Sequence, residues 1–374
     1  MEAQFSPIAT MGNQFLPVTT RTFWRVEGGD QPIDPLYPNF FPTKGAEVVL
    51  EEPQFTELKQ ALQEAHAETT PRPPLHRALM QSDAWGAYDI LSWLRQDQSQ
   101  LGERARALLP LLHQFIGKLA LSSQEIAALP HNYEAAHTRL HLPEVFGEKS
   151  RWVEVEWFPA RSHDAEVGDR RAARVFLRPT TQPERLLAEM NHRIKKDEDP
   201  LPSPTSSLDA AALVTEGLLI DRGGRVVPSP ITYDVQLRAF SKDVHGQFQS
   251  TTVVEYELSR KLLLADPTSG GLVTVTADDP AYLPASGNDF TFASPIFEVG
   301  SSKPGPPILG TLRRRCQSCH GQDLDSIFTF LIHVGPKEAP PEVHRLRPAD
   351  DGHARFVAQE KMKRADFRSL HPPN

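Results

Sequence analysis

The segment Trp152-Val153-Glu154-Val155-Glu156-Trp157 is where the pattern of the chain changes from helical to extended. Apolar and acidic residues alternate in it, and a period of two predicts a strand that is half buried. We therefore expect Glu154 and Glu156 to lie on the solvent face. Runs rich in β-branched and aromatic residues recur downstream and predict further strands, at 173–177, 226–240, 251–258, 272–276 and 290–299. Between the first and second of these runs, Gly223-Gly224 predicts a hairpin turn.

Upstream of this segment, apolar residues recur at spacings of three to five, which is typical of amphipathic helices. These stripes run through residues 56–130, and Ser122 followed by Glu125 predicts a capping box in front of the last, short helix. We therefore predict an α+β protein with four units. They are an extended arm at 1–55, a helical unit at 56–143, a β-rich unit at 144–300, and a small, mostly helical or loop-built module at 301–374.

The charge of the chain is moderate and unevenly distributed. The 374 residues carry a formal net charge of −8, yet residues 301–374 contain 12 Lys and Arg against 8 Asp and Glu. A nucleic-acid-binding protein is not indicated, because no long basic stretch occurs. The basic module indicates a partner protein with an acidic surface. No run of about 18 apolar residues is present, so we expect no transmembrane helix.

The chain has only two cysteines, and they form the motif Cys316-Gln317-Ser318-Cys319-His320. Two thiols three positions apart can form thioethers with the two vinyl groups of a porphyrin, and the adjacent imidazole then reaches the iron. The spacing therefore predicts one covalently attached haem c, with Cys316 and Cys319 as attachment residues and His320 as an iron ligand.

This motif, with Gly321 after it, resembles the haem-attachment site of c-type cytochromes. More faintly, the phrases 121–130 and 219–228 resemble those of large, uncharacterised, exported bacterial proteins that carry a C-terminal CxxCH. The second resemblance implies no activity. Because haem c proteins are exported, we expect a periplasmic or otherwise extracytoplasmic location. The opening residues lack the basic and apolar regions of a secretory signal, so the expected leader has been removed or lies upstream.

The sixth iron ligand is predicted to be Met362, the only methionine after the motif. Thioether ligation raises the reduction potential and suits electron transfer. In class I cytochromes this methionine usually lies in a proline-rich loop, whereas Met362 lies among basic residues. Three histidines are the alternatives, at positions 333, 344 and 353.

Other interpretations of the motif stay open. A structural zinc site would use Cys316, Cys319, His333 and His344, and a redox dithiol or a disulfide would use the cysteines alone. With haem present, the predicted role is electron transfer or service to a redox enzyme, and a peroxidase-like haem enzyme is the alternative. Arg313-Arg314-Arg315 is a candidate for pairing haem propionates or docking a partner. His131, His137 and His141 are interpreted as structural.

Overall fold

The structure is a computed structural model, and it describes a mixed α+β body. The described residues are 52, 54–67, 72–95, 100–147, 150–155, 171–196, 207–245, 248–274, 280–283, 308–311, 345–346 and 358. The predicted arm at 1–55 lies almost entirely outside these residues. So do the predicted strand at 290–299 and most of the module at 301–374.

The first half of the described chain consists of helices. They are α1 (Gln54–Ala67), α2 (Pro74–Leu94), α3 (Gln100–Leu119), α4 (Ser123–Ala127) and α5 (Asn132–Leu140). The predicted capping box is confirmed at α4: the Glu125 backbone N–H donates to Ser122 Oγ at 3.2 Å, and the Ser122 N–H donates to Glu125 Oε2 at 2.8 Å. Helix α5 lies beyond the apolar stripes at 56–130. Helical structure thus continues to Leu140, within the helical unit predicted at 56–143.

The second half is a seven-stranded antiparallel sheet with short helical segments between some of its strands. The strands in chain order are β1 (Val153–Val155), β2 (Arg171–Pro179), β3 (Leu208–Ile220), β4 (Val226–Lys242), β5 (Phe248–Leu258) and β6 (Leu272–Thr274), with α6 (Pro183–Lys195) between β2 and β3. A short helix, α7 (Arg260–Ala265), and a 3₁₀ turn (Pro267–Ser269) connect β5 to β6.

Three short strands follow, and the last of them returns to the sheet. They are β7 (Pro280–Leu283), β8 (Ile308–Thr311) and β9 (Arg345–Leu346). The sheet order is β6-β5-β4-β3-β2-β1-β9, while β7 and β8 form a separate antiparallel pair. Strands β1 to β6 are thus a meander, and a strand from the far end of the chain pairs with its β1 edge.

The hairpin predicted at Gly223-Gly224 is confirmed, since Ile220 pairs with Val226 across this turn. Gly224 has a φ of 74°, a left-handed conformation that glycine adopts without strain. Asp221 closes the turn, because its Oδ1 accepts from the backbone N–H groups of Gly223 and Arg225 at 2.8 and 2.9 Å.

One hydrophobic cluster joins the helices to the sheet. It includes Trp85 of α2, Phe115 of α3, Tyr133 of α5, Phe176 of β2 and Val214 of β3, all at most 3% exposed. Along β3 the even-numbered residues from 208 to 216 are buried and the odd-numbered ones are half-buried, so one face of the sheet carries the helical layer. On β2, buried Val175 and Leu177 lie on the other face. Helix α6 packs against β2 and contributes buried Leu186 and Met190.

Polar side chains also join the helices to the sheet. Gln81 of α2 is fully buried; its Nε2 donates to the carbonyls of Ile116 at 3.2 Å and Ile220 at 2.8 Å, and its Oε1 accepts from the Ile220 N–H at 2.8 Å. Asn132 of α5 exchanges two hydrogen bonds with the backbone of Thr232. Among the described helices, none is long and apolar enough to cross a bilayer.

Candidate functional site

The residues of the predicted haem site, Cys316, Cys319, His320 and Met362, lie outside the described residues. Arg313 to Arg315 and the histidines at 333, 344 and 353 do so as well. The structure describes the strands that flank the motif: β8 ends at Thr311, and β9 begins at Arg345. Strand β9 pairs antiparallel with β1, with Leu346 opposite Glu154 and Arg345 opposite Val155.

Strand β1 holds one member of a buried charged cluster, the Glu154–Arg174–Glu216 triad. Glu154 is fully buried, which corrects the prediction that it lies on the solvent face. Its carboxylate accepts two hydrogen bonds from Arg174, from Nε to Oε1 and from Nη2 to Oε2, both at 2.8 Å. Arg174 Nη1 also donates to the Glu216 carboxylate, at 3.2 and 3.3 Å. The triad therefore joins β1, β2 and β3 through their side chains.

Aromatic rings surround the guanidinium of Arg174. Its Cζ lies 4.8 Å from the centroid of the Phe146 ring and 5.6 Å from that of Phe176. Phe146 in turn makes edge-to-face contacts with Phe176 at 5.3 Å and with Tyr133 at 4.9 Å. These rings keep water from the ion pairs and add cation–π attraction, so the charges interact in a medium of low dielectric.

Burial limits what the triad can do chemically. Each of its three residues is at most 2% exposed, so a solute cannot reach the carboxylates without opening the sheet. Burying charges has a large desolvation cost, and the bidentate geometry offsets part of it. The arrangement suits a positioning role for the strands that carry the three side chains.

The sequence contains a signal for this cluster. Arg174 and Glu216 each interrupt an otherwise apolar strand run, at 172–177 and 212–220. Single charged residues of opposite sign in two apolar strands indicate a buried pair, because an isolated buried charge is too costly. The alternation predicted that Glu154 faces solvent, because a period of two does not distinguish an exposed face of a strand from a second buried face.

A second row of polar side chains lies on the other face of β4. Asp234, Gln236 and Arg238 alternate with Tyr233 and Val235 of the core, and they are 3%, 6% and 7% exposed. Gln236 Nε2 is 3.5 Å from Asp234 Oδ2, and Arg238 Nη2 is 3.5 Å from Gln236 Oε1. At this distance the hydrogen bonds within the row are weak.

A third charged group connects α2, α4 and the β3–β4 turn. Glu125 pairs with Arg77 of α2 and, at 3.0 Å, with Arg222 of the turn. The hydrogen bond from the Ser122 backbone lowers the pKa of Glu125, and the nearby Arg77 lowers it further. Arg77 also donates to the carbonyls of Arg72 and Ala120, both at 3.1 Å. This group fixes the helical layer to the tip of the hairpin.

His131 and His141 flank α5, and His137 lies within it. His131 precedes the first turn and contacts the Phe146 ring edge-to-face, with centroids 5.5 Å apart. His141 ends the helix in the left-handed conformation, with a φ of 52°, and its N–H donates to the His137 carbonyl. Within the part of the chain that the structure describes, no group of three or more His, Cys, Asp and Glu side chains is placed to hold a metal ion.

Comparison of the sequence with protein-family models, with curated proteins and with solved structures gives no match.

Proposed function

We propose that this chain is an exported bacterial haem c protein that carries one haem covalently bound through Cys316 and Cys319. The observation that carries the proposal is the motif Cys316-Gln317-Ser318-Cys319-His320 in a chain with no other cysteine. Both thiols of the chain are thus used by one attachment site, and His320 has a role as the axial ligand.

The donor set fits haem c better than it fits the alternatives. A zinc site would need two further ligands, and the candidates His333 and His344 follow the motif at irregular spacing. A disulfide or dithiol would leave His320 without a role. The bound haem would supply one-electron transfer between its ferric and ferrous states. Arg313 to Arg315 would hold its propionates or face an acidic redox partner.

The described strands on either side of the motif are β8, which pairs with β7, and β9, which pairs with β1. In the proposal, residues 301–374 form the haem module. The body would then serve as its carrier, and electron transfer to a redox partner is the function proposed for the whole.

The test is production of the full chain in a periplasm that contains haem-maturation machinery. We expect a red protein whose haem stain survives a denaturing gel, and a weakened or absent stain for Cys316→Ser and Cys319→Ser. Ser318→Ala is the matched control, since it changes a variable position of the motif and should leave the stain intact. A colourless protein with one equivalent of zinc would refute the proposal.

A second measurement separates electron transfer from peroxidase-like chemistry. An electron-transfer haem with two protein ligands should keep its absorption spectrum when cyanide or peroxide is added. Rapid spectral change with either reagent would assign an open iron site and favour the enzyme. If the basic residues dock a partner, reduction by an acidic redox protein should slow as salt rises, because screening acts over about 10 Å at 0.1 M.

A further inference from the structure

Strand β1 is joined to the sheet by side chains as well as by backbone pairing. Its described residues, Val153 to Val155, pair with Leu177 to Val175 of β2. Side-chain contacts between neighbouring strands add to the stability of a sheet. Among the described strands, β9 pairs with β1, at Glu154 and Val155.

The residue that connects these strands is Glu154. In the sheet, Glu154 pairs with Phe176 of β2 on one side and with Leu346 of β9 on the other. Its side chain is held by the bidentate contact with Arg174, whose other hydrogen bonds reach Glu216 on β3. Bidentate guanidinium–carboxylate contacts are strong and fix orientation, and burial from water strengthens them further.

We infer that the Glu154–Arg174–Glu216 triad is a latch that holds β1 on the sheet, and through β1 holds β9. The rings of Phe146 and Phe176 lie 4.8 and 5.6 Å from the Arg174 Cζ of the latch. This inference goes beyond the proposed function and does not depend on a haem.

Hydrogen exchange of the full chain, followed by mass spectrometry, tests the latch. Glu154→Gln keeps the size of the side chain but removes its charge and one acceptor. We expect amides of β1 and β9 to exchange at least about 100-fold faster, as follows from the loss of a buried charged contact. Amides at the centres of β3 and β4 should exchange at the wild-type rate.

Asp209→Asn is the matched control, because Asp209 forms a more exposed ion pair with Lys242 in the same sheet, at 3.7 Å. This substitution should leave the exchange rates of the β1 and β9 amides unchanged. Trypsin gives a second measurement: cleavage after Arg345 of β9 should be faster in Glu154→Gln than in the control. Arg174→Lys keeps the charge without the bidentate geometry and should give an intermediate increase.

Two results would overturn the inference. One is unchanged exchange and cleavage of β9 in Glu154→Gln. The other is equal loss of protection in β1, β3, β4 and β9, or failure of both triad variants to fold, since the triad would then support the whole sheet and not a local latch. A colourless but folded protein would refute the haem proposal and leave this test unaffected.

Discussion

Replacing Gln81 with alanine should destabilise the protein far more than its polar character suggests. The substitution removes three hydrogen bonds and leaves the buried N–H of Ile220 and the carbonyls of Ile116 and Ile220 without that partner. An unsatisfied buried group costs about 1–3 kcal/mol. Because the carbonyls can share other donors, the N–H dominates, and truncation of the side chain adds a cavity. We expect a loss of about 3 kcal/mol in the free energy of unfolding.

The assay is urea denaturation followed by circular dichroism and by tryptophan fluorescence. With a slope near 3 kcal/mol/M, the loss corresponds to a decrease of about 1 M in the midpoint. Gln60→Ala is the matched control, because Gln60 is an exposed residue of α1 whose Nε2 donates to Glu64 Oε1 at 2.7 Å on the helix surface. Its effect should stay within about 0.5 kcal/mol. Equal midpoints for the two variants would refute the assignment of Gln81 as the connection between helices and sheet.

Three further predictions concern glycine, acid and the iron ligand. Gly270→Ala should destabilise the protein by about 2–4 kcal/mol in a calorimetric scan, since its φ is 76° and a Cβ there would lie 2.6 Å from the Ala136 nitrogen. Gly117→Ala in α3, where a Cβ meets nothing within 4 Å, should instead stabilise the protein by about 0.5 kcal/mol in the same measurement. Because the pKa of Glu125 is lowered in the folded protein, its contribution to stability is present above the usual glutamate pKa of about 4.3 and is lost as the pH falls through the lower, folded value. The denaturation midpoint of Glu125→Gln should therefore fall less steeply in acid than that of the wild type. Parallel curves of midpoint against pH would contradict the pairing of Glu125. If Met362 is the sixth ligand, Met362→Ala should remove the thioether-to-iron charge-transfer band from the ferric spectrum, whereas an unchanged low-spin spectrum would assign a histidine.

The sequence predicted most of the elements that have a clear period. Helices α1 to α4 and strands β1, β2, β4, β5 and β6 all lie where the apolar pattern indicated them. Strand β3 was missed because its run of Ala210, Ala211 and Ala212 has little β-propensity, and pairing on both sides forms it instead. Helix α6 was missed because only Leu186 and Met190 are buried on an otherwise polar helix.

The charged triad shows what a local pattern leaves undetermined. The position of Glu154 depends on Arg174 and Glu216, which come from two other strands and become neighbours only through the register of the sheet. Alternation within 152–157 carries no information about those partners. The motif at 316–320 is the opposite case, because its chemistry is local and is read from five consecutive residues.

The pairing of β9 with β1 has a consequence for the order in which the protein is made. Strands β1 to β5 each pair with the strand that comes next in the chain, so the meander forms from contacts between neighbours in sequence. The outer edge of β1 must wait for Arg345 and Leu346, which are translated after Cys316 and Cys319. Until then the edge is open to pairing with another chain. We therefore expect chains truncated before β9 to self-associate.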